Sequence, residues 1–319
     1  MPPLHETLLR VMPQTTYTRA LTPAQATALR EELLDLGYDF VERPYTLYSA
    51  SKGKVNLSVY EKGPKIVVQG KETEEFVRYL LEPKILGQAE LGQEESLHPD
   101  MFEPHFGIDE SGKGDYFGPL VIAGVYTHRE IARAFLEGGI QDSKSIKSEQ
   151  SIRKLAHLIR STSGVAYDVI TIAPPRYNEL YESFGNVNRL LAWGHAKAIE
   201  NLHRKRPDCP RALSDQFAKP QVLEKALAAC ELDLRLEQRT KAESDLAVGA
   251  ASILAREAFL IWLEDKGKEL GLTLPRGASL SVQSLVADLS EKHGPDFLRQ
   301  IGKTHFKVTA SKSDRTHSS

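Results

Sequence analysis

Cysteine is almost missing from this 319-residue chain: Cys209 and Cys230 are the only two, far apart and outside any CxxC or Cys/His cluster. That excludes a disulfide framework and a cysteine-based zinc site, and both read as buried or idle thiols. No apolar run stands out as long enough to span a bilayer. The opening MPPLHETLLRVMPQTTYTR has an early acid and no uninterrupted apolar core, so neither a membrane partner nor a secretory leader is expected, and the location reads as cytoplasmic. Net charge is scarce as well. With 41 Lys and Arg against 43 Asp and Glu, the balance is −2, so any contact with a polyanion must come from local patches. What remains, 41% hydrophobic and 26% charged residues, is an ordinary globular balance, and the length favours two domains over one core.

Thr22-Pro23-Ala24-Gln25 predicts a helix start, with a hydroxyl cap, proline at the first position and glutamine at the third; Leu29, Leu33 and Leu36 follow at helical spacing before Gly37. The period then changes to two. Residues 45–50, 55–61 and 65–69 read as strands, with Val55, Leu57 and Val59 facing a core and Asn56, Ser58 and Tyr60 facing outward. A second helix is expected over 73–81, stopped before Pro83. GQAELGQEESLHPDMFE has no periodicity and reads as a linker. The layout is therefore a small α+β domain over 1–86, a linker over 87–104, a larger α/β domain over 105–310 and a short polar tail over 311–319. In the larger domain, strand-like runs at 106–109, 120–126, 165–172, 212–215 and 232–236 are interspersed with helical stretches such as those at 151–159, 187–202 and 246–263.

The segment GIDESGKGDYFGPLVIAGV, residues 107–125, places adjacent acids at the end of an apolar strand, then a glycine-rich turn, then a second strand. Asp109 and Glu110 fall where the strand is expected to stop being regular, which would let both carboxylates swing toward one cation. Gly112 and Gly114 let main-chain groups approach a sugar or phosphate, and Lys113 brings a positive charge between them. The stretch 107–113 also matches part of a phosphate-binding loop. Gly114 stands where that loop needs Ser or Thr, however, and the paired acids would repel a phosphate. Isolated acids at strand ends are commonly just solvated. Further acids in matching settings weigh against that: Asp215 ends RALSD, and Glu243 lies just before a long small-residue helix, with Asp245 either an alternative fourth ligand or that helix's N-cap. Acids gathered from separate strand ends repel one another unless cations sit among them. His195 and His203, eight apart on a predicted helix, lack an acidic metal spacing and read as surface or partly packed.

At these residues the chain resembles the type 2 ribonuclease H family, and its ribonuclease HIII branch in particular. GIDESGKGDYFGPL is similar to the family's leading signature, and DYFGP from Asp115 favours the HIII branch. QDSK at 141–144, SDQFA at 214–218, KAES with AASILAR at 241–256, LPRGAS at 274–279 and KTHFK at 303–307 resemble the later blocks in order. The resemblance covers most of 42–310. It implies a ribonuclease H-like α/β catalytic domain behind a small α+β TATA-binding-protein-like domain. It also implies a monomer that hydrolyses the RNA strand of an RNA/DNA hybrid with two Mg2+ or Mn2+ ions, leaving 5′-phosphate and 3′-hydroxyl ends. Carried across residue by residue, it makes Asp109, Glu110, Asp215 and Glu243 the catalytic and metal-binding acids. Gly112, Lys113, Gly114 and Lys144 become substrate contacts. Lys52, Lys54, Tyr60 and Lys65 of the first domain become a surface for the phosphate backbone. The basic residue between the two glycines departs from many HIII sequences and suggests contact at an RNA–DNA junction.

Overall fold

The computed structural model describes residues 15–87, 94–140, 146 and 148–306. It divides into two compact units between Asp100 and Met101. In the first, β1 (Thr16–Ala20) leads into α1 (Pro23–Asp35), followed by β2 (Asp39–Val41), β3 (Thr46–Lys52), β4 (Val55–Tyr60), β5 (Lys65–Gly70) and α2 (Thr73–Phe76). The predicted capping box is present: Gln25 N–H donates to Thr22 Oγ1 at 3.2 Å and Thr22 N–H to Gln25 Oε1 at 2.9 Å. The strands form one antiparallel sheet in the order β1-β5-β4-β3-β2. Alternation along β4 buries Val55, Leu57 and Val59 with Leu29 and Leu33 of α1. Ser58, expected outside, is buried on the opposite face because its hydroxyl pairs with Ser49 Oγ across the strands at 2.9 Å. β1 and β2 were not read from sequence; both are short edge strands.

Pro83 does not stop the second helix. After α2 the chain continues through Val77–Leu86 in wider π-type turns that carry Pro83 inside them, and Gly87 ends the coil in the left-handed region. A proline removes one donor and crowds the preceding turn, and widening the coil relieves both. Beyond 88–93, within the expected linker, α3 (Glu94–Leu97) and a 3-10 turn at Pro99–Phe102 are formed, and Phe102 is buried.

The second unit runs β6 (His105–Ser111), β7 (Leu120–Thr127), α4 (Arg129–Glu137), α5 (Glu149–Ser161), β8 (Ala166–Ile172), α6 (Pro174–Phe184), α7 (Val187–Lys205), β9 (Arg211–Asp215), α8 (Pro220–Ala228), β10 (Arg235–Arg239), α9 (Leu246–Leu270), α10 (Leu280–His293) and α11 (Pro295–Ile301). Its sheet has the order β10-β9-β6-β7-β8, antiparallel across β6, β7 and β8 and parallel across β6, β9 and β10. The period of two splits the core. Phe106, Ile108, Leu120 and Ile122 pack with α7 and α8, while Val121, Ala123 and Val125 pack with α5 and α9. At Gly107 a Cβ would collide with the Ala247–Val248 backbone, so the missing side chain is what lets α9 lie against β6. By length and composition α9 is apolar enough to cross a membrane, contrary to the expectation from sequence. Of that apolar stretch 72% is buried inside the unit, as suits the central helix of a layered core.

Candidate active site

Contrary to expectation, β6 stays regular past its two acids: Asp109, Glu110 and Ser111 pair with Ala123, Ile122 and Val121. The ladder therefore sends the adjacent carboxylates to opposite faces. Asp109 turns to the α9 side and accepts a hydrogen bond from Ser252, while Glu110 turns to the α7 side and meets His195. Burial, the Glu110 charge and then Asp215 push the Asp109 carboxyl up to about 7, against the pull of Ser252. Burial also acts to raise Glu110. There the hydrogen bond and charge of His195, with the charge of Lys113, outweigh it and hold the carboxyl below its ordinary value.

Asp215 is brought alongside by strand pairing. β9 runs parallel to β6 with Ile108 opposite Ser214, which sets Asp109 and Asp215 level at the same end of the sheet. Asp215 Oδ1 accepts the Ala242 N–H at 2.9 Å, and that bond holds the turn Ala242–Ser244, with Glu243 in it, beside the β9 terminus. Glu243 Oε2 is buried. Asp245, the other candidate for the fourth acid, is the N-cap of α9: Oδ1 accepts from the N–H groups of Ala247 and Val248 at 2.9 and 3.2 Å. His105 Nε2 approaches both of its oxygens, at 3.0 and 3.1 Å.

Between β6 and β7 the glycine turn is compact. Gly112 has φ +87°, and a Cβ there would strike Pro119 O, so glycine is required on both counts; beside Gly114 there is open space. Strand, turn and strand follow in succession with no helix opening from the glycines, which removes the phosphate-loop alternative. Lys113 is not an idle solvated charge. Its Nζ lies 3.6 Å from Glu110 Oε1 and 5.6 Å from the centre of the Phe217 ring. Lys144 lies outside the described residues.

In the first unit, Tyr60 and Lys65 are opposite each other across β4 and β5, and both are exposed on the face away from the helices. Lys54 is exposed in the β3–β4 turn. Lys52 lies on the helix side, where its Nζ donates to Leu36 O at the end of α1 at 2.6 Å and sits over Tyr38.

His195 was misjudged from sequence. It is fully buried, with Nε2 3.1 Å from Glu110 Oε2, Nδ1 3.0 Å from Ser214 Oγ, and its ring against Phe217. A signal existed: Leu191, His195, Ala198 and Leu202 fall on one stripe of α7, all of them buried, so an imidazole there had to be in the core with partners. Ser252 carried no comparable mark within the small-residue run AASILAR.

Whether the acids suit a metal can be judged from their chemistry. Among the described residues no three His, Cys, Asp or Glu side chains are drawn into a ready cluster, consistent with Asp109 and Glu110 facing apart. The donors are all carboxylate oxygens, the kind that Mg2+ and Mn2+ take. Asp109 is held toward its neutral form by burial and two neighbouring acids, a repulsion that a divalent cation would relieve. The donor set fits such an ion.

The family described as Ribonuclease HII matches over residues 106–309. A Ribonuclease HIII from Protochlamydia amoebophila (strain UWE25) is 43% identical over 286 residues, which cover 89% of this chain and 92% of that protein. One from Chlamydia pneumoniae is 41% identical over 294 residues, covering 92% and 96%. Among solved structures, Bst-RNase HIII in complex with Mn2+ superposes with a TM-score of 0.62 at 26% identity, over 92% of this chain and 97% of that one. Aquifex aeolicus RNase H3 superposes with a TM-score of 0.53 at 25% identity, over 91% and 100%.

Proposed function

The chain belongs to the ribonuclease HIII family, and from that premise we propose that it is an endonuclease cutting the RNA strand of RNA/DNA hybrids by two-metal-ion catalysis, as a cytoplasmic monomer. The observation that carries this reading is the pairing of β6 with β9, which sets Asp109 and Asp215 level at one sheet end, next to Glu110 and a glycine turn.

Asp109, Glu110, Asp215 and Glu243 are the residues that would hold Mg2+ or Mn2+. When bound, the two ions supply water activation and charge neutralisation at the scissile phosphate, leaving 5′-phosphate and 3′-hydroxyl ends. The chain's own residues prepare the site. His195 and Lys113 keep Glu110 ionised and fix its direction. Ser252 and the Ala242 N–H fix the directions of Asp109 and Asp215. The backbone from Gly112 to Gly114 approaches the ribose closely enough to read its 2′-hydroxyl, the group that distinguishes RNA from DNA. Lys113 supplies a neighbouring phosphate contact, which favours cutting at ribonucleotides embedded in DNA. The exposed face with Tyr60 and Lys65, and Lys54 in the turn at the other end of β4, carry contacts to the hybrid's backbone; this is the role of a TATA-binding-protein-like domain over 1–86 ahead of the catalytic domain over 105–310.

The test is a cleavage assay in Mg2+ and in Mn2+ on an RNA/DNA hybrid, on duplex DNA and on duplex DNA with one ribonucleotide. Cutting of the RNA strand and not of plain DNA is expected, and EDTA should stop it. Equal cutting of hybrid and DNA, or activity that survives EDTA, refutes the reading.

A further inference from the structure

The residues just after the glycine turn, Asp115 to Gly118, are held by the carboxy-terminal part of the unit. Tyr116 N–H donates to Gly277 O at 2.9 Å, and Gly277 N–H to Asp115 Oδ1 at 2.5 Å. Gly118 N–H donates to Ile301 O at 2.9 Å, Lys303 N–H to Tyr116 O at 2.8 Å, and Phe117 forms a bridge with Gly302. At the centre of this stitching is the Lys303 side chain. Its Nζ donates to Asp115 O at 2.8 Å and to Gly118 O at 2.7 Å, and it lies 5.7 Å from the centre of the Tyr177 ring.

Lys303 is fully buried, and among the described residues no carboxylate forms an ion pair with it; the Asp115 carboxylate is taken by Gly277 N–H. A buried ammonium with no carboxylate in direct contact is costly, and a methionine of similar length would fill the same space more cheaply. What the ammonium does that an apolar side chain cannot is hold two carbonyls of one loop from a single point. Asp115 N–H in turn donates to Gly112 O at 3.3 Å, so the clamp reaches the glycine turn through one hydrogen bond. Burial pushes the amine down to about 7, against the upward pull of the Asp115 charge nearby.

We propose that Lys303 is a positioning residue for substrate discrimination: by clamping Asp115 O and Gly118 O it sets the placement of the Gly112–Gly114 backbone that faces the ribose. The inference rests on the proposed reading of the glycine turn and adds the device that holds that turn in register.

Two substitutions test it, with binding of labelled RNA/DNA hybrid and DNA duplex of one sequence measured in EDTA, and steady-state cleavage measured in Mg2+. Lys303→Met removes the ammonium and keeps the length. Gly302→Ala keeps Lys303 but puts a Cβ into the Tyr116 ring, displacing the same loop. Each should lower kcat/KM on the hybrid by about 10- to 100-fold, the range for sub-ångström to ångström misplacement. Each should also shrink the preference for hybrid over DNA in binding, with DNA affinity changed by less than about twofold. Should Lys303→Met fail to fold, Gly302→Ala decides alone. A lowered Tm with the hybrid preference and KM intact would make Lys303 merely structural and overturn the proposal. A wild-type protein with no preference for hybrid would sink the functional reading itself, and it is seen before either variant is made.

Discussion

His195 and Glu110 meet 3.1 Å apart at the boundary between a helix and the sheet, with the imidazole's other nitrogen on Ser214, the neighbour of Asp215. One buried side chain thus ties together the ends of the two strands that present the candidate acids. Because Glu110 is also approached by Lys113, its carboxylate is gripped from two sides and kept ionised despite burial.

Replacing His195 by Phe keeps the ring volume and deletes both polar contacts. Activity should fall about 10- to 100-fold, the usual effect of removing a group that orients a metal ligand. The Mn2+ affinity, read by calorimetry, should weaken in parallel. Activity within about twofold of wild type would reduce His195 to core filler.

Asp109→Asn, Glu110→Gln and Asp215→Asn should each lower kcat by about a thousandfold or more with the circular dichroism spectrum unchanged, because each removes a charge the ions need. Glu243→Gln should be severely impaired as well. Asp245→Asn should act differently: asparagine caps a helix about as well as aspartate, so turnover should be retained, with any loss of stability coming from the altered contact with His105. A larger catalytic loss at Asp245 than at Glu243 would reverse the choice of fourth acid.

The parts legible in the sequence were those where local chemistry and tertiary need agree. The Thr22–Gln25 box, the alternation of Val55, Leu57 and Val59, and the buried strands of the second sheet follow from short-range rules. What could not be read is what pairing across the sheet imposes. Nothing near Asp109 shows that β7 continues the ladder to Ser111 and turns the two carboxylates apart. Nor can the neighbourhood of Pro83 reveal that the coil widens around it, since that depends on Val77 and Leu81 being needed in the core. α4, α6, α8, α10 and α11 do not stand out in the sequence because they are short or open with proline or weak caps, and packing fixes them.

Without metal, Asp109 gives a distinctive dependence on pH. Its folded carboxyl lies at about 7, above its ordinary value of 3.8, so the folded state binds the proton more tightly than the unfolded chain. Stability from this group is therefore full below about 4 and is lost as pH rises toward 7. In EDTA, wild-type Tm should fall across that window relative to Asp109→Asn, and saturating Mn2+ should cancel the difference. Parallel Tm curves for the two proteins in EDTA would show that Asp109 is not perturbed.

Tyr60→Ala with Lys65→Ala, on the exposed face of the first sheet, should raise KM for a long hybrid and leave kcat within about twofold. Losing one phosphate contact should also reduce the salt slope of binding by about one. Lys52→Ala serves as the control, because Lys52 is engaged with Leu36 O at the end of α1 and should affect stability more than binding. The same salt slope in all three proteins would remove the first unit from substrate binding.

Lys113→Thr separates two roles that the structure combines. Lys113 touches Glu110 and Phe217, yet its side chain keeps 37% exposure, so it can support the acid and still reach a phosphate. If the phosphate contact dominates, a lone ribonucleotide in DNA, which offers one correct register, should suffer more than a long RNA strand with many equivalent positions. Cleavage of the single-ribonucleotide duplex is expected to drop about tenfold more than cleavage of the hybrid, with both measured at one salt and metal concentration. If support of Glu110 dominates, both substrates lose rate equally, and the loss grows as pH falls, because the carboxyl keeps only His195 of the two groups that hold it ionised. No loss on either substrate would leave the contact with Glu110 as surface electrostatics of little consequence.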